Sequence, residues 1–121
     1  MTVAEFLEWD DGTDTRYELV RGRVAPMAPP SARHSVIASK IGGALETRLK
    51  RPCYVGMNAG VIRPDRDDTF YEADLVVSCT RLQADALTIP QPDVVIEVLS
   101  ATTAEHDRGG KLYDYRRIGS V

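Results

Sequence analysis

Apolar and polar positions alternate along this chain in stretches that can be assigned in order. Thr2-Val3-Ala4-Glu5 is a capping-box pattern and predicts a short helix to about Trp9. Tyr17 to Val20 and Arg23 to Met27, joined by Arg21-Gly22, predict a β-hairpin. Ser31 is the candidate N-cap of the clearest helix, His34 to Lys50, where Ile37, Ile41, Leu45 and Leu49 recur every four residues with Ala38 and Ala44 beside them. Pro52 stops it. Cys53 to Met57 and Gly60 to Arg63 are two short strands or one bent strand, and Ala73 to Ser78 is the next. From Val94 to Leu99 every residue but Glu97 is aliphatic. A strand that apolar is normally buried on both faces, so its one carboxylate needs a partner. Thr103 to Ile118 predicts a closing helix, with Leu112, Tyr115 and Ile118 as its core face.

The length of 121 residues fits one small domain, 1–121. A hydrophobic share of 43% with 27% charged residues reads as a soluble globular chain. The net charge of −3 offers no broad basic surface for nucleic acid, although a metal ion could mask an acidic site. Cys53 and Cys79 have no metal-ligand spacing and read as free, buried thiols in a reducing cytoplasm. The first residues do not form a signal peptide, and no apolar run approaches the ~20 residues of a membrane-spanning helix.

Chemistry enters through strand pairing. If 73–78 and 93–99 are antiparallel neighbours, Asp74 opposes Glu97, Val76 opposes Val95, and Ser78 opposes Asp93. Opposed Cβ atoms lie about 5 Å apart. Two carboxylates that close repel unless a proton or cation lies between them. A hard cation with oxygen ligands, Mg²⁺ or Mn²⁺, suits such a pair. Asp93 shares a face with Glu97 but lies ~13 Å along the strand, which makes it a strand-entry residue. Lys111 and Asp107 are four apart on the closing helix. Lys111 reads either as half of a surface ion pair or as a cation leaning over the acidic pair.

The segment Pro92 to Thr103 with Asp107, Arg108, Lys111 and Tyr115 resembles the Uma-type family, described as putative restriction endonucleases of the PD-(D/E)XK superfamily. Tyr17 to Gly22, His34, and Ala73 to Val77 extend the resemblance, which runs from about Phe6 to the last residue. It implies an α/β fold: a restriction endonuclease-like core, with a mixed β-sheet flanked by helices and preceded by the N-terminal helix and hairpin. It also implies metal-dependent hydrolysis of DNA phosphodiester bonds. Carried over, Asp74, Glu97 and Lys111 are the catalytic set, and Asp74, Glu97 and the carbonyl of Val98 hold the metal. Leu99 stands where the superfamily motif has lysine, and Lys111 takes that place from the following helix. Glu18, His34 and Asp107 are possible additions to the site.

Relatives continue past the last helix into a further strand, so a C-terminally truncated domain with an open sheet edge is expected, and with it a homodimer or higher homo-oligomer. Three functions follow from these readings: a Mg²⁺- or Mn²⁺-dependent nuclease acting on DNA, an inactive homologue serving as an interaction module, and a small-molecule metallohydrolase.

Overall fold

The Arg21-Gly22 turn sets the first piece of the fold. Both residues take positive φ, 52° and 81°, as a two-residue type I′ turn requires. Strands β1 (Tyr17–Val20) and β2 (Arg23–Pro26) pair across it, with Val20 opposite Arg23. Before them, helix α1 (Val3–Glu8) is capped by the Thr2 hydroxyl, which accepts the Glu5 N–H. It buries Phe6 against Leu19 and Phe70. This computed structural model describes residues 1–100 and 107–121, with side chains at 1–100 and 109–121. The expected caps Thr102 and Thr103 and the side chain of Asp107 lie outside the described residues.

Helix α2 (Ala32–Arg48) starts at Ser31, whose hydroxyl accepts the His34 N–H. Its buried row keeps Ala38 and the half-buried Ile41 of the expected face, but it gains Gly42 and leaves out Ile37. Ile37 is 38% exposed, while Ala38 and Gly42 face the sheet. A Cβ on Gly42 would come within 3.3 Å of both Leu75 and Met57, so small residues set the distance between helix and sheet. His34, Ala38 and Gly42 lie four apart and share one row. The close approach at Gly42 therefore also aims His34 at the sheet.

Strands β3 (Tyr54–Ile62) and β4 (Phe70–Ser78) form the longest ladder, from Tyr54 opposite Ser78 to Ile62 opposite Phe70. The other edge of β4 is shared. β1 meets it at Leu19–Phe70, and β5 (Val94–Ile96) meets it at Leu75–Ile96, Val76–Val95 and Val77–Val94. Val76 opposite Val95 is the expected register, and just past the end of this ladder the Asp74 and Glu97 side chains interact. All the pairings are antiparallel. The sheet expected to be mixed is therefore antiparallel throughout its described strands. The reason is local, since β1–β2 and β3–β4 are sequence neighbours joined by short turns.

The α/β architecture follows from how β4 is covered. Leu75 packs with Ala38 of α2 and with Val98. Val76 joins Tyr71, Ala73, Tyr115 and Ile118. Consecutive strand residues face opposite ways, so the two helical layers lie on opposite faces of β4. Tyr71 and Ala73 share a cluster with Val76 rather than with Leu75. The alternation thus slips by one across Asp74, where the β3–β4 ladder omits the Asn58–Asp74 pair and Asn58 takes φ 49°. Such irregularities re-aim side chains.

The C-terminal stretch is a π-helical turn, Asp107–Lys111, running into helix α3, Leu112–Tyr115. Its expected core face needs correction. Tyr115 and Ile118 are buried, but Leu112 is exposed, and Lys111 and Asp114 are buried in its place. The inward row is 111, 114, 115 and 118, and its two charged members are tolerated because both are paired.

The cysteines need a second correction. Cys53 and Cys79 form a disulfide. They flank the Tyr54–Ser78 pair, so the β3–β4 register places them opposite each other. The expectation of free thiols, and the reducing compartment inferred from it, lose their basis. Among the described residues no helix is long and apolar enough to cross a membrane.

Candidate active site

The site occupies the fork where β1 and β5 separate along the shared edge of β4. Among the described residues that edge has no strand partner between Phe70 and Leu75, so backbone donors around the gap need other acceptors. Side-chain carboxylates supply two. Glu18 Oε2 accepts the Glu72 N–H at 2.9 Å, and Asp74 Oδ2 accepts the Val98 N–H at 2.7 Å. The gap lets groups from both helical layers meet, His34 from α2 and Lys111 with Tyr115 from the C-terminal stretch.

Lys111 is the hub. Its Nζ lies 2.8 Å from Glu18 Oε2 and 3.1 Å from Glu97 Oε1, and the side chain is 4% exposed. It also lies 5.5 Å from the centre of the Tyr71 ring, within cation–π range. Tyr115 Oη donates to Glu97 Oε1 at 2.6 Å. His34 Nε2 lies 3.1 Å from Asp74 Oδ2. Arg16 Nη1 meets Glu72 Oε1 at 3.1 Å. A cavity of about 480 Å³ opens over these groups, walled on one side by the segment from Ala25 to Ser31.

The electrostatics are one-sided. Glu18, Glu72, Asp74 and Glu97 face two permanent cations, Lys111 and Arg16, and one histidine. Burial pushes the Glu97 carboxyl up to about 7. Lys111 and Tyr115 pull it down, while a hydrogen bond and charge from Asp74 push it further up. Burial also raises Glu72, against the pull of Arg16. The Tyr115 phenol is pushed far up by burial first and by Glu97 second, so it stays a hydrogen-bond donor.

This surplus of buried carboxylate fits a divalent cation. Among the described residues no group of three or more His, Cys, Asp and Glu side chains is arranged around a common point. Mg²⁺, however, is commonly held by one or two carboxylates, with water and substrate oxygens completing its shell. Asp74 on β4 and Glu97 just past β5, whose side chains interact, are two carboxylates of the type such an ion takes.

Of the residues singled out from the sequence, Asp74, Glu97, Lys111, Glu18, His34 and Val98 all line this cavity. Val98 is recorded here through its N–H, donated to Asp74. Asp93 sits at the far strand end, as expected, where its N–H donates to Val77 and its carboxylate accepts the Cys79 N–H. Sequence reasoning missed Arg16, Glu72 and the role of Tyr115. Arg16 stands two residues before Glu18, and Glu72 two before Asp74. Strand period alone would have placed each beside its partner.

Residues 3–120 match the family model Uma2, described as "Putative restriction endonuclease". The chain is also 29% identical, over 117 residues, to an uncharacterized protein of Synechocystis sp. (strain ATCC 27184 / PCC 6803 / Kazusa). That alignment covers 95% of this chain and 62% of the relative, so the chain spans less than two thirds of that protein's length. A family match over nearly the whole chain, joined to an α/β fold with its acidic pair and lysine in one cavity, places the protein: it belongs to the Uma2 family of restriction endonuclease-like proteins.

Proposed function

We propose that the chain is a divalent-metal-dependent nuclease acting on DNA phosphodiester bonds. The observation that carries this reading is the gathering of four buried or half-buried carboxylates, Glu18, Glu72, Asp74 and Glu97, in one cavity, with Glu97 raised to about 7. Asp74 and Glu97, with the carbonyl of Val98, would hold Mg²⁺ or Mn²⁺. The ion supplies a lowered pKa for a bound water and neutralises phosphate charge. The chain's own groups do the rest. Lys111, fixed between Glu18 and Glu97, presents a permanent cation where negative charge grows on a phosphoryl group. Tyr115 holds the Glu97 carboxylate by its hydroxyl, and His34 holds Asp74. These side chains are 4–18% exposed, and partial removal from water strengthens their fields.

A second reading, an inactive homologue, draws on one observation. The Lys111 ammonium already satisfies Glu18 and Glu97, so the pocket is partly neutralised without a metal. Calorimetry separates the two. Titration of Mn²⁺ into the protein should show one strong site that is lost in Glu97→Gln. Mg²⁺- or Mn²⁺-dependent cleavage of DNA should vanish in Asp74→Asn and Lys111→Ala. Heat-silent titration, or undiminished cutting by a folded Asp74→Asn protein, sinks the nuclease mechanism.

A further inference from the structure

The cavity contains four carboxylates, yet the proposed substrate is an anion. Beside the metal of that reading, positive charge to receive it comes from side chains lining the cavity, and the described residues offer the permanent cations Arg16 and Lys111, with His34 beside them. Lys111 is 4% exposed and held by two carboxylates. His34 is 18% exposed and sits against Asp74. Arg16 differs from both, with a side chain 46% exposed. Its place is fixed by the hairpin. The Arg16 carbonyl accepts the Met27 N–H and extends the β1–β2 ladder by one step. Arg16 and Glu18 therefore project from the same face of β1, Glu18 into the floor and Arg16 to the mouth.

There Glu72 meets one nitrogen of the guanidinium at 3.1 Å. Among the described residues Glu72 is its one ion-pair partner. The planar fork carries five N–H donors, and among the described residues Glu72 is the one side chain seen against them, while Arg16 lines the cavity. A guanidinium held this way matches a phosphodiester bidentately, and less ordering is lost on binding than for a free side chain.

We infer that Arg16 is the substrate-phosphate contact of this site, with Glu72 as its positioning residue. The ligand class is an oligonucleotide phosphodiester, and the inference rests on the nuclease reading above.

Binding of fluorescein-labelled oligonucleotides, single-stranded and duplex, tests it by anisotropy against salt concentration, with Ca²⁺ replacing Mg²⁺. Arg16→Ala should weaken binding about tenfold, the loss expected for one charged hydrogen-bonded contact. The slope of log K on log salt should fall by about 0.9 on duplex or about 0.7 on a single strand, the value of one phosphate contact. Arg16→Lys should recover the slope but not all the affinity, because a point charge replaces a fork. Arg23→Ala, an exposed arginine on β2 outside the cavity lining, should leave the slope unchanged. An unchanged slope in folded Arg16→Ala, or an equal fall in Arg23→Ala, overturns the role of Arg16 and leaves the nuclease reading standing. Wild-type protein that binds neither probe overturns both.

Discussion

Two buried ionic clusters hang from the same short C-terminal stretch, and they are opposites. In one, Asp114 is a single carboxylate, about 1% exposed, that accepts from Arg21 and Arg63, each at 2.8 Å, and from the Tyr71 hydroxyl. In the other, Lys111 is a single ammonium shared by Glu18 and Glu97, with Asp74 close by. Burial pushes the Asp114 carboxyl up, but Tyr71, Arg63 and Arg21 together outweigh it and hold it below its ordinary value. Burial pushes Glu97 up to about 7, and nothing nearby outweighs it. A tyrosine serves each cluster, and the two rings stand edge to face at 5.6 Å. The first cluster is electrically complete and ties the β1–β2 turn, the end of β3 and α3 together. The second, among the described residues, carries more carboxylate than permanent cation. Buried charge that is balanced holds a fold, and buried charge that is unbalanced is available for chemistry.

Several variants would break or sharpen that contrast. The largest effect is expected from Asp114→Ala, which leaves the Arg63 guanidinium buried without one of its carboxylates. Loss of one partner from a buried ion pair costs roughly 3–5 kcal/mol, read as a lower urea midpoint at pH 7. Because the Asp114 carboxyl is held below its ordinary 3.8 in the folded protein, its contribution is present above that pH and fades as acid protonates it. The gap between wild type and Asp114→Asn should therefore close in acid.

Glu97→Gln should act with the opposite sign. A folded pKa of about 7 against an ordinary 4.5 means that the contribution of Glu97 is fully present below about pH 4.5 and is lost as pH rises through 7. In metal-free buffer at pH 8 the variant should be the more stable protein, by about 3 kcal/mol at 1.36 kcal/mol per pKa unit. Equal unfolding midpoints across pH 4 to 8 would remove the proposed charge imbalance. The smallest effect is expected from Tyr115→Phe. Loss of one hydrogen bond to a charged group should cost about 1–2 kcal/mol at pH 8, and the Glu97 titration should move higher because Tyr115 opposes the shift.

How far these clusters could be read in the sequence depended on which force set each feature. The β4–β5 register was legible, because a one-residue slip would turn Val95 and Ile96 to the wrong sides. The turn at Arg21-Gly22 and the caps at Thr2 and Ser31 were legible because their signals are local. The inward row of the C-terminal stretch was not. Hydropathy pointed to Leu112, whereas Lys111 and Asp114 are buried by ion pairs with Glu18, Glu97, Arg21 and Arg63, all distant in sequence. Arg16 and Glu72 were hidden for the same reason, since neither shows a partner until β1 lies beside β4. On α2, Ala38 and Ile41 were legible but Gly42 was not, because a glycine adds nothing to an apolar pattern although it makes the close contact with the sheet. The disulfide follows from the β3–β4 register, which spacing between two cysteines does not reveal.

The fork gives Glu18 and Asp74 two employments. Each carboxylate faces the cavity, and each also accepts a backbone N–H, from Glu72 and Val98, that would otherwise lie unpaired at an interrupted sheet edge. Selection for folding alone would retain both residues. In a descendant that had lost all turnover, the acids would persist as parts of the sheet, so their retention across relatives does not by itself report activity. Arg16 and His34 donate to no interrupted ladder, and their drift or constancy is the more direct record of whether a lineage still uses the pocket.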